Sequence, residues 1–503
     1  MDRETVKGLA VTFGLLVALA GAVAAVALAI GVGGSGPVDL EIEEIEEISR
    51  EARSNSTLAS GDPLAWTPRT SDELRDRATL GTSHVIYEKS PGGVIASVKR
   101  TLKWRDEIED AAKPAGVDPD MLESIVFLES AGRSQVSADG TPNSASGLTQ
   151  IIPSTATSFL GMNVDLPRST ELTSQINRAL ENGKGKLAGD LIEERMSVDE
   201  RFDPERALEG AARYLEIATD RFGSEELAVV SYHMGLGNLE NVITAYVGSD
   251  DATGPIAGVV SRNEIDYARL YFDSSPQNRS EAYELLAGFG DDSSLYLWRI
   301  RASAGILEDF RSDRAGLNSS IALATEKATL EETYHPESET EVFLEPDDIA
   351  DATDDGELIR VPDDPALGFK LAGQVGELAE DLDRDPALYR VLRPEALGAL
   401  TYLAGKVKAV SGDSKPLTVT SLSRDQTYQD LLIGINSEAT SEYSLHTTGW
   451  SFDIRRKYAS ERQGRAFQFA LDRLRAHAIV DYAYEPAAIH VTVSENAGLL
   501  LDD

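Results

Sequence analysis

The strongest constraint in the sequence is an uncharged, apolar stretch over residues 8–33. A membrane-spanning helix needs about 20 predominantly apolar residues, so this stretch can cross a bilayer. Arg3 and Lys7 precede it and the next basic residue is Arg50, which by the positive-inside rule leaves the short N-terminus in the cytoplasm. The alternative is a cleaved signal peptide, although the apolar region of a signal peptide usually runs only about 7–15 residues. We therefore expect an uncleaved, single-pass transmembrane helix with the bulk of the chain outside.

The length and charge of the chain restrict its architecture and its partners. A chain of 503 residues is too long for one hydrophobic core and predicts more than one domain. The formal net charge of −38 argues against nucleic-acid binding, because such a surface repels phosphates. The chain has no cysteine, so any metal site must be built from histidines and carboxylates.

Periodicity and composition predict a multidomain chain. Residues 34–80 are acidic and then rich in Ser, Thr and Pro, which is typical of a linker. Over residues 81–335 the apolar positions recur at helical spacing, which predicts a mainly α domain with accessory helices. An acidic, turn-rich connector is expected at 336–364, and mixed helical and strand patterns predict an α+β domain at 365–503. Within that domain, residues 371–382 are predicted as a helix.

The first candidate site rests on one glutamate at a helix end. Residues 118–132 open with an N-cap signal at Asp118 and close with Gly132, so they predict one helix with Glu129 in its last turn. The negative end of the helix dipole and the apolar neighbour Phe127 both favour a protonated carboxyl there. Glu129 is therefore a candidate proton donor at neutral pH.

Two further blocks follow Glu129-Ser130 in a fixed order: Gly-Leu-Thr-Gln at 147–150 and Tyr-His-Met-Gly at 232–235. Together the three resemble the Glu-Ser, Gly-Leu-Met-Gln and Tyr-Asn-Ala-Gly motifs of the soluble lytic transglycosylase family. The resemblance covers about residues 90–250. Thr149 replaces the usual Met, and His233-Met234 replace Asn-Ala.

This resemblance implies a lysozyme-like α fold that needs no cofactor. In such a fold Glu129 would protonate the glycosidic oxygen of the MurNAc–GlcNAc β-1,4 bond. It would then act as a base on the C6 hydroxyl of the same muramic acid, giving a 1,6-anhydro product. Ser130, Gln150 and Tyr232 would bind the substrate. A two-carboxylate hydrolase would require a second acid across the bond, and none stands out in the three blocks.

The second candidate site combines His446, Asp453 and His490. Two imidazoles and one carboxylate leave a fourth tetrahedral position for water, which is the arrangement of a catalytic zinc. Peptide hydrolysis then needs a carboxylate to accept a proton and a cation to hold a substrate carboxylate or the developing oxyanion. Glu485 and Arg424 are the available candidates.

Residues 365–497 resemble the zinc D-alanyl-D-alanine carboxypeptidase and dipeptidase superfamily. Its Ser-x-His-x-x-Gly-x-Ala-x-Asp motif matches residues 444–453, with Ser451 where Ala is usual, and its Ser-x-x-Arg-x-x-x-Tyr-Gln block matches 421–429. The resemblance implies zinc ligands at His446, Asp453 and His490, and substrate contacts at Arg424 and Gln429. In the family the catalytic Glu lies three residues before the last His, whereas Glu485 precedes His490 by five.

Taken together, the sequence predicts a bacterial, single-pass protein of the cytoplasmic membrane whose bulk lies on the periplasmic side and acts on peptidoglycan. The first domain would be the transglycosylase, and the second would hold zinc and cleave stem peptides. Two alternatives stay open: a non-catalytic peptidoglycan-binding scaffold, and an active transglycosylase with a binding-only C-terminal domain. The sequence does not identify which protein partners, if any, recruit it.

Overall fold

The computed structural model describes residues 62–326, 333–435 and 443–501. Within these ranges the chain forms two compact units, one built from residues 85–321 and the other from residues 62–84 together with 322–501. No helix in the described ranges is long and apolar enough to cross a membrane. The transmembrane helix predicted at 8–33 lies outside the described residues.

The unit formed by residues 85–321 is mainly helical, as predicted for this part of the chain. Its helices begin with the end of α1 and continue into α14: α1 (Ser71–Lys89), α2 (Val94–Thr101), α3 (Arg105–Ala115), α4 (Pro119–Ser130), α5 (Leu166–Glu181), α6 (Gly185–Val198), α7 (Pro204–Phe222), α8 (Glu225–Met234), α9 (Leu236–Val247), α10 (Ile256–Arg262), α11 (Tyr267–Phe272), α12 (Ser280–Gly288), α13 (Tyr296–Ser312) and α14 (Arg314–Glu326).

The accessory helices of this unit share a core with the helix that carries Glu129. Phe127 of α4 packs in one apolar cluster with Ala302 and Ile306 of α13. Arg311 of α13 also donates a hydrogen bond to Glu123 of α4, whose side chain is fully buried. Because apolar packing and an ion pair both join α13 to α4, the accessory helices form part of the unit's framework.

The second unit is α+β, as expected. Its remaining helices are α15 (Pro346–Asp354), α16 (Pro394–Ser411), α17 (Gln426–Ile435) and α18 (Glu461–Ala476). Its strands are β1 (Ile359–Arg360), β2 (Phe369–Leu371), β3 (Val391–Leu392), β4 (Leu417–Ser421), β5 (Ser451–Arg455), β6 (Val480–Tyr484) and β7 (Ala488–Val493). β1 pairs with β3, and the other five strands form one sheet in the order β2-β4-β5-β7-β6.

The two faces of this five-stranded sheet have different compositions. Successive side chains of a strand point to opposite faces, so on β5 Phe452 and Ile454 share one face and are fully buried. Helices α16 and α18 pack against each other and contact β7 and β6, respectively. Asp453 points to the other face and lies directly opposite His490 of β7. The sheet therefore has one face in the core and one face that carries polar side chains.

Residues 62–84 belong to the second unit although the whole first unit follows them in the chain. Asp62 accepts hydrogen bonds from Tyr402 and Lys406 of α16. Gly81 lies so close to α18 that a Cβ atom would be 2.5 Å from the carbonyl oxygen of Arg475. In chain order, the first unit is thus inserted between two parts of the second.

Residues 62–80, expected as part of a linker, contain the start of α1 and belong to the second unit. Two further segments differ from their predicted structure. Residues 336–364, expected as a solvated connector, contain helix α15, and Phe343 and Ile349 are buried in the core of the second unit. Residues 371–382, predicted as a helix, begin at the end of β2 and otherwise form turns and a short 3-10 segment. Gly376 explains the second difference, because its φ of 82° and its contact with Pro386 oppose a helix there.

Candidate active site and candidate metal centre

Glu129 lies in the last turn of α4, as the capping signals predicted. The side chain of Asp118 caps the helix by accepting a hydrogen bond from the backbone N–H of Asp120, and Pro119 occupies the first turn. At the other end Ala131 adopts a left-handed conformation with φ of 53° and donates to the carbonyl of Phe127. These local signals end the helix at Ser130, one residue after Glu129, and the Glu129 side chain is partly exposed.

An aromatic stack holds the Glu129 carboxylate. Tyr296, the first residue of α13, donates a hydrogen bond of 2.7 Å from its hydroxyl to Oε1 of Glu129. The Tyr296 ring is stacked at 6.5 Å from the ring of Tyr232 and at 5.1 Å from the ring of His233. Nδ1 of His233 is 2.9 Å from the hydroxyl of Ser293. Two adjacent residues of the third motif thus fix the phenol that contacts Glu129.

The surroundings of Glu129 favour its protonated form. Burial raises the pKa of the Glu129 carboxyl above its ordinary value, while His233 and the hydrogen bond from Tyr296 act in the opposite direction. Apart from burial, the groups that shift this pKa are His233 and Tyr296, and neither is a carboxylate. The site therefore combines one tuned acid with a phenol and an imidazole.

The Gly-Leu-Thr-Gln block forms a tight loop because of its glycine. Gly147 has a φ of 81°, and a Cβ atom there would lie 1.7 Å from the carbonyl oxygen of Arg201, so only glycine fits. Gln150 donates from its side-chain amide to the carbonyl of Gly147 at 2.7 Å. Tyr232 reaches the same loop, since its hydroxyl donates to the carbonyl of Thr149 at 2.8 Å. The structure thus joins the second and third motifs directly.

Ser130, predicted to contact the substrate, has its hydroxyl bonded within its own helix. Ser130 is buried, with 1% of its surface exposed, and its hydroxyl donates to the carbonyl of Val126 one turn earlier at 3.1 Å. Helical serines commonly bond to the carbonyl four residues before them, so this hydroxyl is directed into α4 rather than toward a ligand. Conversely, sequence analysis missed Tyr296, which is 167 residues from Glu129 in the chain. No motif spacing links the two.

In the second unit, the structure brings His446, Asp453 and His490 together. Their candidate ligand atoms all lie within 4.8 Å of one another. Oδ1 of Asp453 is 2.8 Å from Nδ1 of His490 and 3.2 Å from Nε2 of His446. His446 lies in a 3-10 turn that ends at Gly449, and the two other residues face each other across β5 and β7.

The hydrogen bonds and charges around this cluster suit a metal site. Nδ1 of His446 is 2.9 Å from the carbonyl of Leu422, which fixes the ring and leaves Nε2 as the ligand atom. Burial lowers the pKa of His446 to about 4, so the imidazole stays neutral near pH 7. Although burial alone would raise it, the two imidazoles hold the pKa of Asp453 well below its usual range. Neutral imidazoles and an ionised carboxylate are the forms that bind zinc.

The residues predicted to act beside the metal lie around the same face. Arg424 is 8% exposed, its backbone N–H donates to the carbonyl of His446 at 3.0 Å, and its guanidinium donates to the hydroxyl of Ser421 at 3.1 Å. Gln429 is buried in the first turn of α17. Glu485 begins the turn between β6 and β7, and its charge acts on Arg424.

Glu485 lies five residues before His490, where the resembling family has its Glu three residues before, and it stands at the turn of the β6–β7 hairpin. Ala483 of β6 lies opposite His490 of β7, so alternation along β6 puts Glu485 on the same sheet face as His490. The backbone N–H of Glu485 donates to the carbonyl of Ala488 at 3.0 Å. Glu485 therefore lies at the end of the hairpin, on the face that carries His490.

Comparison with known proteins covers part of the first unit. Residues 106–253 match the family described as the Transglycosylase SLT domain, a segment that is less than a third of the chain. The match contains Glu129, Gln150 and Tyr232 and ends before Tyr296. It supports a lytic transglycosylase activity with peptidoglycan as substrate for this unit. No curated protein matches the chain.

Proposed function

We propose that the protein is a membrane-anchored lytic transglycosylase that cleaves the MurNAc–GlcNAc β-1,4 bond and leaves a 1,6-anhydro end. The observation that carries the proposal is the Glu129 carboxyl, whose Oε1 accepts a hydrogen bond from the Tyr296 hydroxyl and whose pKa is raised by burial. A hydrolase of the two-carboxylate type would place a second acid about 5–9.5 Å away across the bond.

One carboxyl is enough for both proton transfers of this reaction. Protonated Glu129 donates its proton to the glycosidic oxygen while the bond from that oxygen to C1 of the muramic acid breaks. The resulting carboxylate then takes the proton of the C6 hydroxyl, and the C6 oxygen bonds to C1 of the same sugar. Atoms balance without water, and Glu129 regains its proton. Tyr296 steadies the carboxylate between the two transfers.

The remaining residues of the first site bind and orient the glycan. Tyr232 offers an aromatic ring beside Glu129, and Gln150 shapes the loop that faces it. The exposed imidazole of His233 takes the place of the family's usual Asn. The hydroxyl of Ser130 supports α4 and is not assigned a substrate contact.

We further propose that the second unit is a zinc-dependent D,D-peptidase that acts on stem peptides, with His446, Asp453 and His490 as ligands. When bound there, zinc would polarise the peptide carbonyl and activate water. Arg424 would hold a substrate carboxylate or the developing oxyanion, Gln429 would line the site, and Glu485 would accept the proton. The close approach of the three ligand atoms supports this proposal. A binding-only module is the alternative, because the position of Glu485 departs from the family pattern.

The proposed location follows from the apolar segment at residues 8–33. It would anchor the protein in the bacterial cytoplasmic membrane and leave both units on the periplasmic side, where peptidoglycan is found. A glycan-cleaving and a peptide-cleaving unit on one anchor would then act on the two covalent components of the same polymer.

Mass spectrometry of digested peptidoglycan tests these proposals on the full-length, detergent-solubilised protein. We expect anhydro-muramyl products from the native protein and from Glu181→Gln, which changes an exposed glutamate, but none from Glu129→Gln. Products with reducing ends would identify a hydrolase, and intact glycan with native protein would favour a scaffold. Loss of terminal D-alanine that stops with a chelator would support the peptidase, whereas unchanged stem peptides would favour a binding module.

A further inference from the structure

The candidate metal centre contains a buried arginine whose charge has no carboxylate partner. Arg424 is 8% exposed, and in the described part of the chain no carboxylate lies within ion-pair distance of its guanidinium, although Asp453 and Glu485 influence it from farther away. Its Nε is buried and lacks a hydrogen-bond partner. Burying a charge without a partner costs considerable free energy. A buried guanidinium without a carboxylate partner can bind an anionic group of a ligand.

A second arginine lies on the same face of the sheet. Arg455 is two residues after Asp453 on β5, so its side chain points to the face that carries Asp453 and His490. Two residues of a strand span about 6–7 Å. Nη2 of Arg455 is 3.4 Å from Oε1 of Gln374, and among residues 62–326, 333–435 and 443–501 it makes no ion pair. Its guanidinium therefore remains available beside the metal ligands.

These unpaired guanidinium groups contrast with the composition of the chain. Asp and Glu number 85 against 47 Lys and Arg, so a carboxylate partner is easily supplied. Elsewhere in the same unit, some arginines pair with carboxylates, such as Arg384 with Asp347 and Arg475 with Asp481. Others donate to backbone carbonyls, as Arg390 does to Val375 and Arg462 to Val410. Arg424 and Arg455 differ from these arginines because both lie beside the candidate metal ligands, where they place positive charge for an external anion.

We propose that this site takes acidic peptides with two carboxylates. Arg424 would hold the terminal carboxylate, and Arg455 would hold a carboxylate on the side chain that precedes the two residues at the scissile bond. An arginine binds a carboxylate through two parallel hydrogen bonds, which fixes the orientation of the peptide. Arg455 is then a specificity-determining residue. This proposal rests on the proposed peptidase function, because that function defines which end of the peptide lies at the metal centre.

Binding of two matched peptides to the full-length protein tests the proposal. The probes are acetyl-Glu-D-Ala-D-Ala and acetyl-Gln-D-Ala-D-Ala, which differ by one charge, titrated by calorimetry into chelator-treated and zinc-loaded protein. We expect native protein to bind the Glu peptide about fivefold more tightly, the upper range for a partly exposed ion pair. Arg455→Gln should remove that preference and leave the affinity for the Gln peptide unchanged.

Three controls separate charge from folding and from metal loss. Arg465→Gln removes an exposed arginine of α18 whose partner is Glu461 and should keep the preference. Arg455→Lys keeps the charge but not the planar fork, so it should retain part of the preference. Zinc content measured on each variant should stay equal to that of the native protein.

The outcomes distinguish this proposal from the peptidase function. Equal affinities for the two peptides in native protein, or a preference that survives Arg455→Gln, would overturn the role of Arg455 even if D-alanine is released. A preference that depends on Arg455 without any release of D-alanine would support acidic-peptide recognition and refute the peptidase. If neither peptide binds, both proposals fail.

Discussion

At the scale of single residues, the first site depends on a contact between parts of the chain that are far apart. In the proposed reaction Glu129 supplies the proton, and Tyr296 of α13 donates a hydrogen bond to its carboxylate. In the second site, Ser451 stands where the resembling family has Ala, and its hydroxyl is 3.0 Å from that of Thr492 on the paired strand. The added polar group is therefore satisfied within the sheet.

Replacing Tyr296 by Phe should slow glycan cleavage. A hydrogen bond to a charged group contributes about 1.5–3 kcal/mol, so we expect kcat to fall about 10- to 100-fold. Because the hydrogen bond from Tyr296 lowers the pKa of Glu129, its removal should also move the basic limb of the kcat profile to higher pH. Tyr214→Phe is the matched control, since the Tyr214 hydroxyl bonds to the carbonyl of Ser231. An unshifted pH profile in Tyr296→Phe would contradict this role.

Replacing Glu129 by Gln should stabilise the protein in a pH-dependent way. Burial raises the pKa of Glu129, so the folded state binds this proton more tightly than the unfolded chain does. The native protein then loses stability as pH rises through the folded pKa, and a neutral amide does not. We expect Tm of the variant to exceed that of native protein by about 2–4 °C above neutrality, as for about 1 kcal/mol in a unit of this size. The difference should vanish in acid below about pH 4; a constant difference would refute it.

At the scale of elements, the sequence predicted the helices that have clear local signals. It did not predict the segments whose conformation depends on tertiary packing. The caps of α4 and the helical periodicity of residues 85–321 are local, and both agree with the structure. The turns after β2 carry no such signal, because Gly376 is required by a contact with Pro386. Tyr296 could not be identified for the same reason, since only the packing of α13 on α4 brings it to Glu129.

The loop of the second motif offers a test of one such contact. Gly147→Ala places a methyl group against the carbonyl of Arg201, whereas at Gly140, which has a φ of 78°, an added Cβ atom would meet no other atom within 4 Å. Both alanines bear the cost of a left-handed conformation, about 1–2 kcal/mol, but only Gly147→Ala must also displace the loop. We expect glycan cleavage to be lost in Gly147→Ala and kept in Gly140→Ala. Equal activities would show that the close approach does not matter.

At the scale of the whole molecule, the two sites are built from separate residues. Every group assigned to the glycan site lies within 85–321, and every candidate metal ligand lies within 322–501. The formal charge of −38 acts on both units alike and identifies neither activity. A substitution in one site therefore leaves the residues of the other site unchanged.

Metal removal should affect one activity only. We expect elemental analysis to find zinc in native protein and to find none in His446→Ala or Asp453→Ala, because three ligands are needed to hold the metal. Anhydro-muramyl products should persist in both variants at native levels. His233→Asn, which changes the glycan site, is the complementary control and should retain zinc. Zinc that remains bound after both substitutions would exclude this cluster as the metal centre.

The insertion of one unit between two stretches of the other has a consequence for biosynthesis. The chain is made from its N-terminus, so residues 62–84 emerge long before their packing partners Tyr402, Lys406 and Arg475. The unit at 85–321 can fold as soon as it is synthesised, whereas the second unit cannot fold until its C-terminal part has also been made. A translation product that stops near residue 321 would thus keep the residues of the glycan site but leave Asp62 and Gly81 without the residues that they contact in the second unit.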